Sequence, residues 1–289
     1  MSASAQPTWR KIGIVAGAGE LPVLLAHACE AAGLSFHISR LGAGINPALD
    51  SFGGDTFELG EIGRRLDGLS AAGCDAITMV GILARPDFKS LKMDGRGALL
   101  LPKVVLAARK GDDALLTLLV KEFERSGFKV IGVQEIAQQL LAPAGHIAGP
   151  PLSDEDWADV KKGAQIAAAI GALDIGQGCV VCLGLVLAVE AQEGTDAMLE
   201  RVAQLPARIR GSANQRAGAL VKRPKPGQEL RVDLPTIGVA TLERASKAGL
   251  KAIAFQAGTS LLINQDECAA VAERLGVTLF GFSSQDVDA

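Results

Sequence analysis

The chain predicts a two-domain α/β protein: an N-terminal Rossmann-like domain on a parallel sheet, a C-terminal mixed α/β domain, and an active cleft between them. Three observations carry this. Short apolar runs alternate with amphipathic helical stretches through the first half, the βαβ rhythm of a parallel sheet with helices on both faces. The alternation breaks at a proline- and glycine-rich stretch, Leu141 to Leu152, and resumes beyond it. At 289 residues, 48 % hydrophobic and 21 % charged, the chain is long enough for two ordinary domains with cores of their own.

Taken in order, the first half reads as strand IGIVAG, a helix from about Leu21 to Ala32, strand FHISRL, and a helix around Arg64 to Ala72. Strand AITMVG, a long helical region from Gly97 to Arg125, and strand FKVIGV follow. This sets an N-terminal domain over 10–142, a linker over 143–152 with Pro143, Gly145, Gly149, Pro150 and Pro151, and a C-terminal domain over 153–289. The C-terminal domain opens on a helix capped by Ser153, with Asp156 three residues on approximating a capping box. CVVCLGLVLAVE is a hairpin turning near Gly184, and the helix after it is capped by Thr195 or Asp196. Strand ALV, a helix from Thr241 to Ala248, strands KAIAFQAG and SLLIN, helix DECAAVAERLG and strand VTLFGF complete the chain.

Bulk properties exclude several classes. A net charge of −3 argues against a nucleic-acid binder, and the basic residues between Arg208 and Arg231 suit a small anionic ligand better than a duplex. No apolar run approaches eighteen residues, so nothing spans a membrane. Met1 to Thr8 lacks the basic-plus-apolar order of an export signal. Five cysteines, an odd count without a signal, suit a reducing cytoplasm. Cys179 and Cys182 lie three apart in a strand and so face opposite ways, as core residues and not a metal pair. His27 and His37 read as helix and strand residues, and His146 as a linker residue.

Two polar segments carry the chemistry. VLAVEAQEGTD, Val186 to Asp196, is an apolar strand running into Glu190, Glu193 and Asp196. Carboxylates gathered where a strand ends and a helix begins suit a divalent cation, a proton acceptor, or both; the alternative is a capped helix with solvated glutamates. VKRPKPGQELRVDLP begins at the end of a second apolar strand, Ala217 to Val221, and carries Lys222, Arg223, Lys225 and then Asp233. Its prolines and glycine exclude a helix. Cations beside carboxylates are what phosphoryl chemistry requires, although either loop read alone is an ordinary solvated surface. Alternation over Arg231 to Pro235 puts Arg231 and Asp233 on one face.

GAGELP has the look of a dinucleotide fingerprint. Gly17 and Gly19 follow a strand and precede a helix, which aims helix N–H groups at a phosphate. Pro22 stands where the third glycine belongs, and Ser39 and Arg40 stand where an acid would bind an NAD ribose. Only an NADP enzyme survives as a redox alternative; the plainer reading is a tight strand-to-helix turn.

The wording AVEAQEGTDAMLER and VKRPKPGQELRVDLPTIG, with KIGIVAGAGELP and KEFERSGFKVIG, resembles the LpxI-type UDP-2,3-diacylglucosamine pyrophosphatases of lipid A biosynthesis from about Arg10 to Ser283. The resemblance implies a Mg2+-dependent hydrolase that yields UMP and 2,3-diacylglucosamine 1-phosphate, with water attacking the sugar-side phosphorus. It implies Asp233 as the aspartate needed for activity; together with the two polar segments this gives Asp233, Asp196 and Lys222 as catalytic residues and Asp233, Glu193 and Asp196 as metal ligands. Substrate contacts fall on Gly17, Gly19, Glu20, Gly81, Gln134, Glu135, Thr195 and Arg223. Glu229 departs from the aspartate expected there. The resemblance further implies a homodimer that is cytoplasmic and touches the inner face of the inner membrane transiently, with LLLPKVVLAARKGDDALLTLLV as acyl-chain surface or simply core helix. An NADP-dependent oxidoreductase and a non-catalytic nucleotide-sugar binding protein are the alternatives.

Overall fold

The computed structural model describes residues 8–42, 45–83, 87–88 and 90–287. The polar start Met1 to Thr8 therefore lies, but for Thr8, outside the described residues. The chain forms two compact units, one of residues 1–138 with 231–233, the other of 139–230 with 234–289.

The first unit runs β1 (Ile12–Ala16), α1 (Leu21–Ala31), β2 (Phe36–Leu41), β3 (Asp55–Phe57), α2 (Ile62–Ala71), β4 (Ala76–Val80), α3 (Gly95–Ala108), α4 (Asp112–Arg125), β5 (Lys129–Val130) and α5 (Val133–Ile136). Its five strands are ordered β3-β2-β1-β4-β5, and every pair is parallel. β1 is buried throughout because it sits between β2 and β4 with helices on both faces, which is why it reads as a continuous apolar run. The long helical region expected from Gly97 to Arg125 consists of two helices, separated at Gly111 with φ +132°, a conformation that L side chains rarely adopt. β3 and the 3-10 turn Pro47–Phe52 are too short to carry a period in the sequence.

The second unit runs β6 (Gly145–Ala148), α6 (Asp154–Ala172), β7 (Gly178–Cys182), β8 (Leu185–Val189), α7 (Gly194–Ala203), α8 (Ala207–Arg210), β9 (Ala219–Lys222), β10 (Thr236–Ile237), α9 (Val239–Lys247), β11 (Ala252–Gln256), β12 (Leu261–Leu262), α10 (Gln265–Leu275), β13 (Thr278–Phe282) and α11 (Ser284–Val287). A six-stranded sheet has the order β6-β13-β11-β9-β7-β8. β9, β11 and β13 are mutually parallel, while β6, β7 and β8 run antiparallel to their neighbours, so the unit is mixed α/β. Ser153 and Asp156 form the capping box of α6, and the β7–β8 hairpin turns at Leu183 and Gly184, both with positive φ.

The stretch 143–152, expected as a linker, contains β6 paired with β13, and His146 lies in that strand with its Nε2 2.8 Å from the Gly149 carbonyl oxygen. The SLLIN stretch contributes only β12, which pairs with β10 outside the main sheet.

Candidate active site

In the second unit, β8 carries its alternation one step past its end. Ala188 is buried and so is Glu190, 6 % exposed, as period two demands; the Glu190 amide continues the ladder to the Gly178 carbonyl at 2.8 Å. Two glycines make room for this residue, one for its side chain and one for its backbone. A Cβ on Gly178 would lie 2.8 Å from Glu190 Oε2, and one on Gly176 would collide with the Glu190 carbonyl.

Lys222, expected in the basic loop, is the last residue of β9 and only 4 % exposed. Its register opposite Gly178 brings its ammonium to Thr195 at the start of α7. Lys222 Nζ donates to Thr195 Oγ1 at 2.7 Å, and Thr195 Oγ1 donates to Glu190 Oε1 at 2.7 Å. Glu190 Oε2 meets no hydrogen-bond partner among the described residues. Thr195 and Lys222 are thus brought together, and the residue that joins them, Glu190, was singled out in the sequence only as a loop carboxylate. The signal was present in the alternation from Ala188 and in the small residues of Gly176-Gln177-Gly178.

The other carboxylates of that loop are engaged differently. Glu193 Oε1 accepts from Arg201 Nη2 at 2.5 Å; its own backbone amide first, and Arg201 beside it, hold its carboxyl below the usual range. Asp196 does not cap α7, because the helix begins at Gly194; its carboxylate lies 3.4 Å from Arg244. Arg223 follows Lys222, its amide bonding the Gln177 carbonyl at 3.0 Å, and Lys225 is committed to Asp174 at 2.6 Å. Among the described residues no three His, Cys, Asp or Glu side chains are grouped to hold a metal ion.

In the first unit the expected substrate contacts lie at the carboxyl ends of the strands, where open α/β sheets bind ligands. The loops after β1 and β4 are stapled by two backbone bonds of 2.8 Å between Ala18 and Ile82. This close approach explains two glycines: a Cβ on Gly17 would lie 2.7 Å from the Ile82 carbonyl oxygen, and one on Gly81, at φ +98°, 2.8 Å from that of Ala18. Gly19 also has positive φ, and Glu20 is exposed at the start of α1. Glu135 Oε1 accepts from the Gly132 amide at 2.9 Å, ending β5 and starting α5, and Gln134 packs over Gly132. Arg40 is buried, donating to the carbonyls of Leu49 (2.6 Å) and Gly53 (2.9 Å). It is a structural clamp and not a receptor for a 2′-phosphate, which removes the basis of the NADP reading.

Asp233 belongs to this first unit with Arg231 and Val232. Arg231 and Val232 lie in a turn, so the expected strand alternation does not apply to them. Arg231 Nη1 pairs with Glu124 at 2.8 Å. Val232 packs against the core and lines an apolar cavity of about 120 Å3 with Val15, Leu41, Met79, Leu116 and Phe123. Asp233, half-buried, is the next residue.

Comparison with known proteins agrees in both halves. Residues 11–140 match the LpxI N-terminal domain and residues 143–280 the LpxI C-terminal domain. The chain is 50 % identical over 277 residues to a Caulobacter vibrioides protein named UDP-2,3-diacylglucosamine pyrophosphatase LpxI, covering 96 % of this chain and 99 % of that relative.

Proposed function

The chain belongs to the LpxI family, and on that premise we propose that it hydrolyses UDP-2,3-diacylglucosamine to UMP and 2,3-diacylglucosamine 1-phosphate. The observation that carries the reading is the match over nearly its whole length to a relative named for that activity. Water adds to the sugar-side phosphorus, the bridging P–O bond breaks, and UMP leaves with the bridging oxygen. A carboxylate takes the proton of the attacking water, the role assigned to Asp233. Lys222, a buried ammonium with N–H groups beyond the one given to Thr195, neutralises phosphate oxygens as charge shifts to the leaving group. Asp196 completes the catalytic set, and Arg223 and Thr195 contact the phosphates, Thr195 through its backbone amide in the first turn of α7, with the loops bearing Gly17, Gly19, Glu20, Gly81, Gln134 and Glu135 taking the rest of the nucleotide sugar.

Mg2+ belongs to the proposal through the chemistry of pyrophosphate, whose oxygens it would neutralise. Such an ion commonly takes one or two carboxylates and completes its shell with substrate oxygens and water. Glu193, Asp196 and Asp233 are its candidate ligands, but no ready-made cage is present among the described residues, and no step here depends on it.

Transient membrane contact is the remaining part of the reading. No helix among the described residues is long and apolar enough to cross a bilayer. Helix α3 instead exposes Leu99 (81 %) and Leu106 (59 %), two turns apart on one face with Lys103 between them. Apolar residues interleaved with cations suit the surface of an anionic bilayer.

Hydrolysis in 18O-water tests the chemistry. Label is expected in 2,3-diacylglucosamine 1-phosphate; label in UMP would overturn sugar-side attack, and no turnover would overturn the activity. In the same assay Asp233→Ala is expected to fold and to lose turnover by about a hundredfold or more, on the order of 2.7 kcal/mol of barrier. A folded variant within threefold of the parent rate would return Asp233 to a structural role.

A further inference from the structure

We propose that Glu190 is a positioning residue: it aims the Lys222 ammonium at the phosphate oxygens by way of the Thr195 hydroxyl. The inference rests on the pyrophosphatase reading for what the ammonium meets, and on the geometry of the second unit for everything else.

The direction of the relay is forced by chemistry. A carboxylate can only accept, an ammonium can only donate, and a hydroxyl has one proton to give and lone pairs to receive. Thr195 Oγ1 stands 2.7 Å from each partner, so its proton goes to Glu190 and its lone pair to Lys222. With that proton committed, the hydroxyl cannot turn to donate to a phosphate, and its acceptor side stays fixed on the ammonium. Lys222 gives one of its three N–H groups to Thr195.

Burial gives the relay its purpose. Two charges taken out of water are costly unless each is compensated. Lys222 and Glu190 are 4 % and 6 % exposed, and they meet through the hydroxyl and not as a direct ion pair among the described residues. The cation is therefore held but not quenched. A carboxylate one hydroxyl away offsets the buried charge while leaving the ammonium's remaining donors for an anion. Glu190 Oε2, without a hydrogen-bond partner among the described residues, lies over Gly178, which has no side chain to displace it.

The test combines turnover of UDP-2,3-diacylglucosamine with the Lys222 side-chain ammonium signal by NMR of 15N-lysine protein without substrate, assigned with Lys222→Arg. Thr195→Val and Glu190→Ala are each expected to lower kcat/KM roughly 10- to 100-fold, the range for losing a hydrogen bond to a charged group. The double variant is expected to fall no further than the worse single one, because both cut the same relay. Thr195→Ser keeps the hydroxyl and is expected to recover most of what Thr195→Val loses. Slow solvent exchange of the Lys222 ammonium is expected in the parent and in Thr195→Ser, and fast exchange or loss of the signal in the other two. If Glu190→Ala does not fold, Glu190→Gln, which keeps an acceptor and loses the charge, is expected between parent and Thr195→Val. Additive losses, no recovery with serine, or an ammonium signal unmoved by the Glu190 substitution would each overturn the proposal. Should the parent protein not hydrolyse the substrate, the pyrophosphatase reading fails while the ammonium signal still decides the relay.

Discussion

The β7–β8 hairpin that delivers Glu190 depends on one buried carboxylate. Asp159, on α6 and 3 % exposed, accepts the amides of Leu183 at 2.8 Å and Gly184 at 2.7 Å. Leu183 has φ +51°, a conformation a leucine enters only at a cost, so the two bonds to Asp159 hold a turn the leucine itself disfavours. Asp159→Ala removes both. Each hydrogen bond to a charged group contributes about 1.5–3 kcal/mol, and since the turn residues are exposed, water recovers part of the loss. The net destabilisation is expected to be roughly 2–3 kcal/mol. Asp159→Asn keeps one acceptor oxygen and is expected to lose about half as much. Urea unfolding followed by circular dichroism measures both, with the second unit's transition moving to lower urea at unchanged slope. An Asp159→Ala midpoint equivalent to less than about 0.5 kcal/mol, the ordinary scatter of surface substitutions, would refute the argument. The consequence reaches the site, because a one-residue slip of β8 against β7 would turn Glu190 to the opposite face.

Two further expectations follow from burial and exposure. Desolvation raises the thiols of Cys29, Cys74 and Cys182 to about 11 and that of Cys179 to about 12, so iodoacetamide at pH 8 is expected to leave them unmodified until the protein is unfolded, and rapid labelling of Cys179 in the native protein would contradict its place in the core. For membrane contact, flotation with vesicles containing anionic lipid is expected to recover part of the protein, and Leu99→Asp with Leu106→Asp to abolish the recovery; equal flotation of parent and double variant would exclude α3 as the contact.

Much of the fold was legible because it rests on local signals. The βαβ rhythm of the first unit follows from apolar runs the length of strands separated by runs with helical period, and the parallel sheet β3-β2-β1-β4-β5 is the arrangement such a rhythm permits. The hairpin turn at Gly184 and the capping box at Ser153 are fixed by residues within a few positions of each other. Errors arose where a short element lacks a period. β6 reads as a linker because four residues among prolines and glycines become a strand only when β13 offers an edge. Arg231 and Val232 read as alternating, yet they form a turn whose valine packs into the core of the first unit.

The chemistry divides the same way. Sequence alone determined which residue types are present and their order: carboxylates after one strand, cations after another, glycines after β1 and β4, and a wording that marks the LpxI family. Tertiary structure decided which of those groups meet. Glu193 and Asp196, on either side of Thr195 in the chain, are turned to Arg201 and Arg244, while Lys222, 27 residues away, shares the Thr195 hydroxyl. The cause is sheet register. β9 lies beside β7 with Lys222 opposite Gly178, and β8 lies on the other side of β7 with Glu190 bonded to that same glycine. Strand order and register are set by long-range pairing and the burial of whole faces, which no window of neighbouring residues contains.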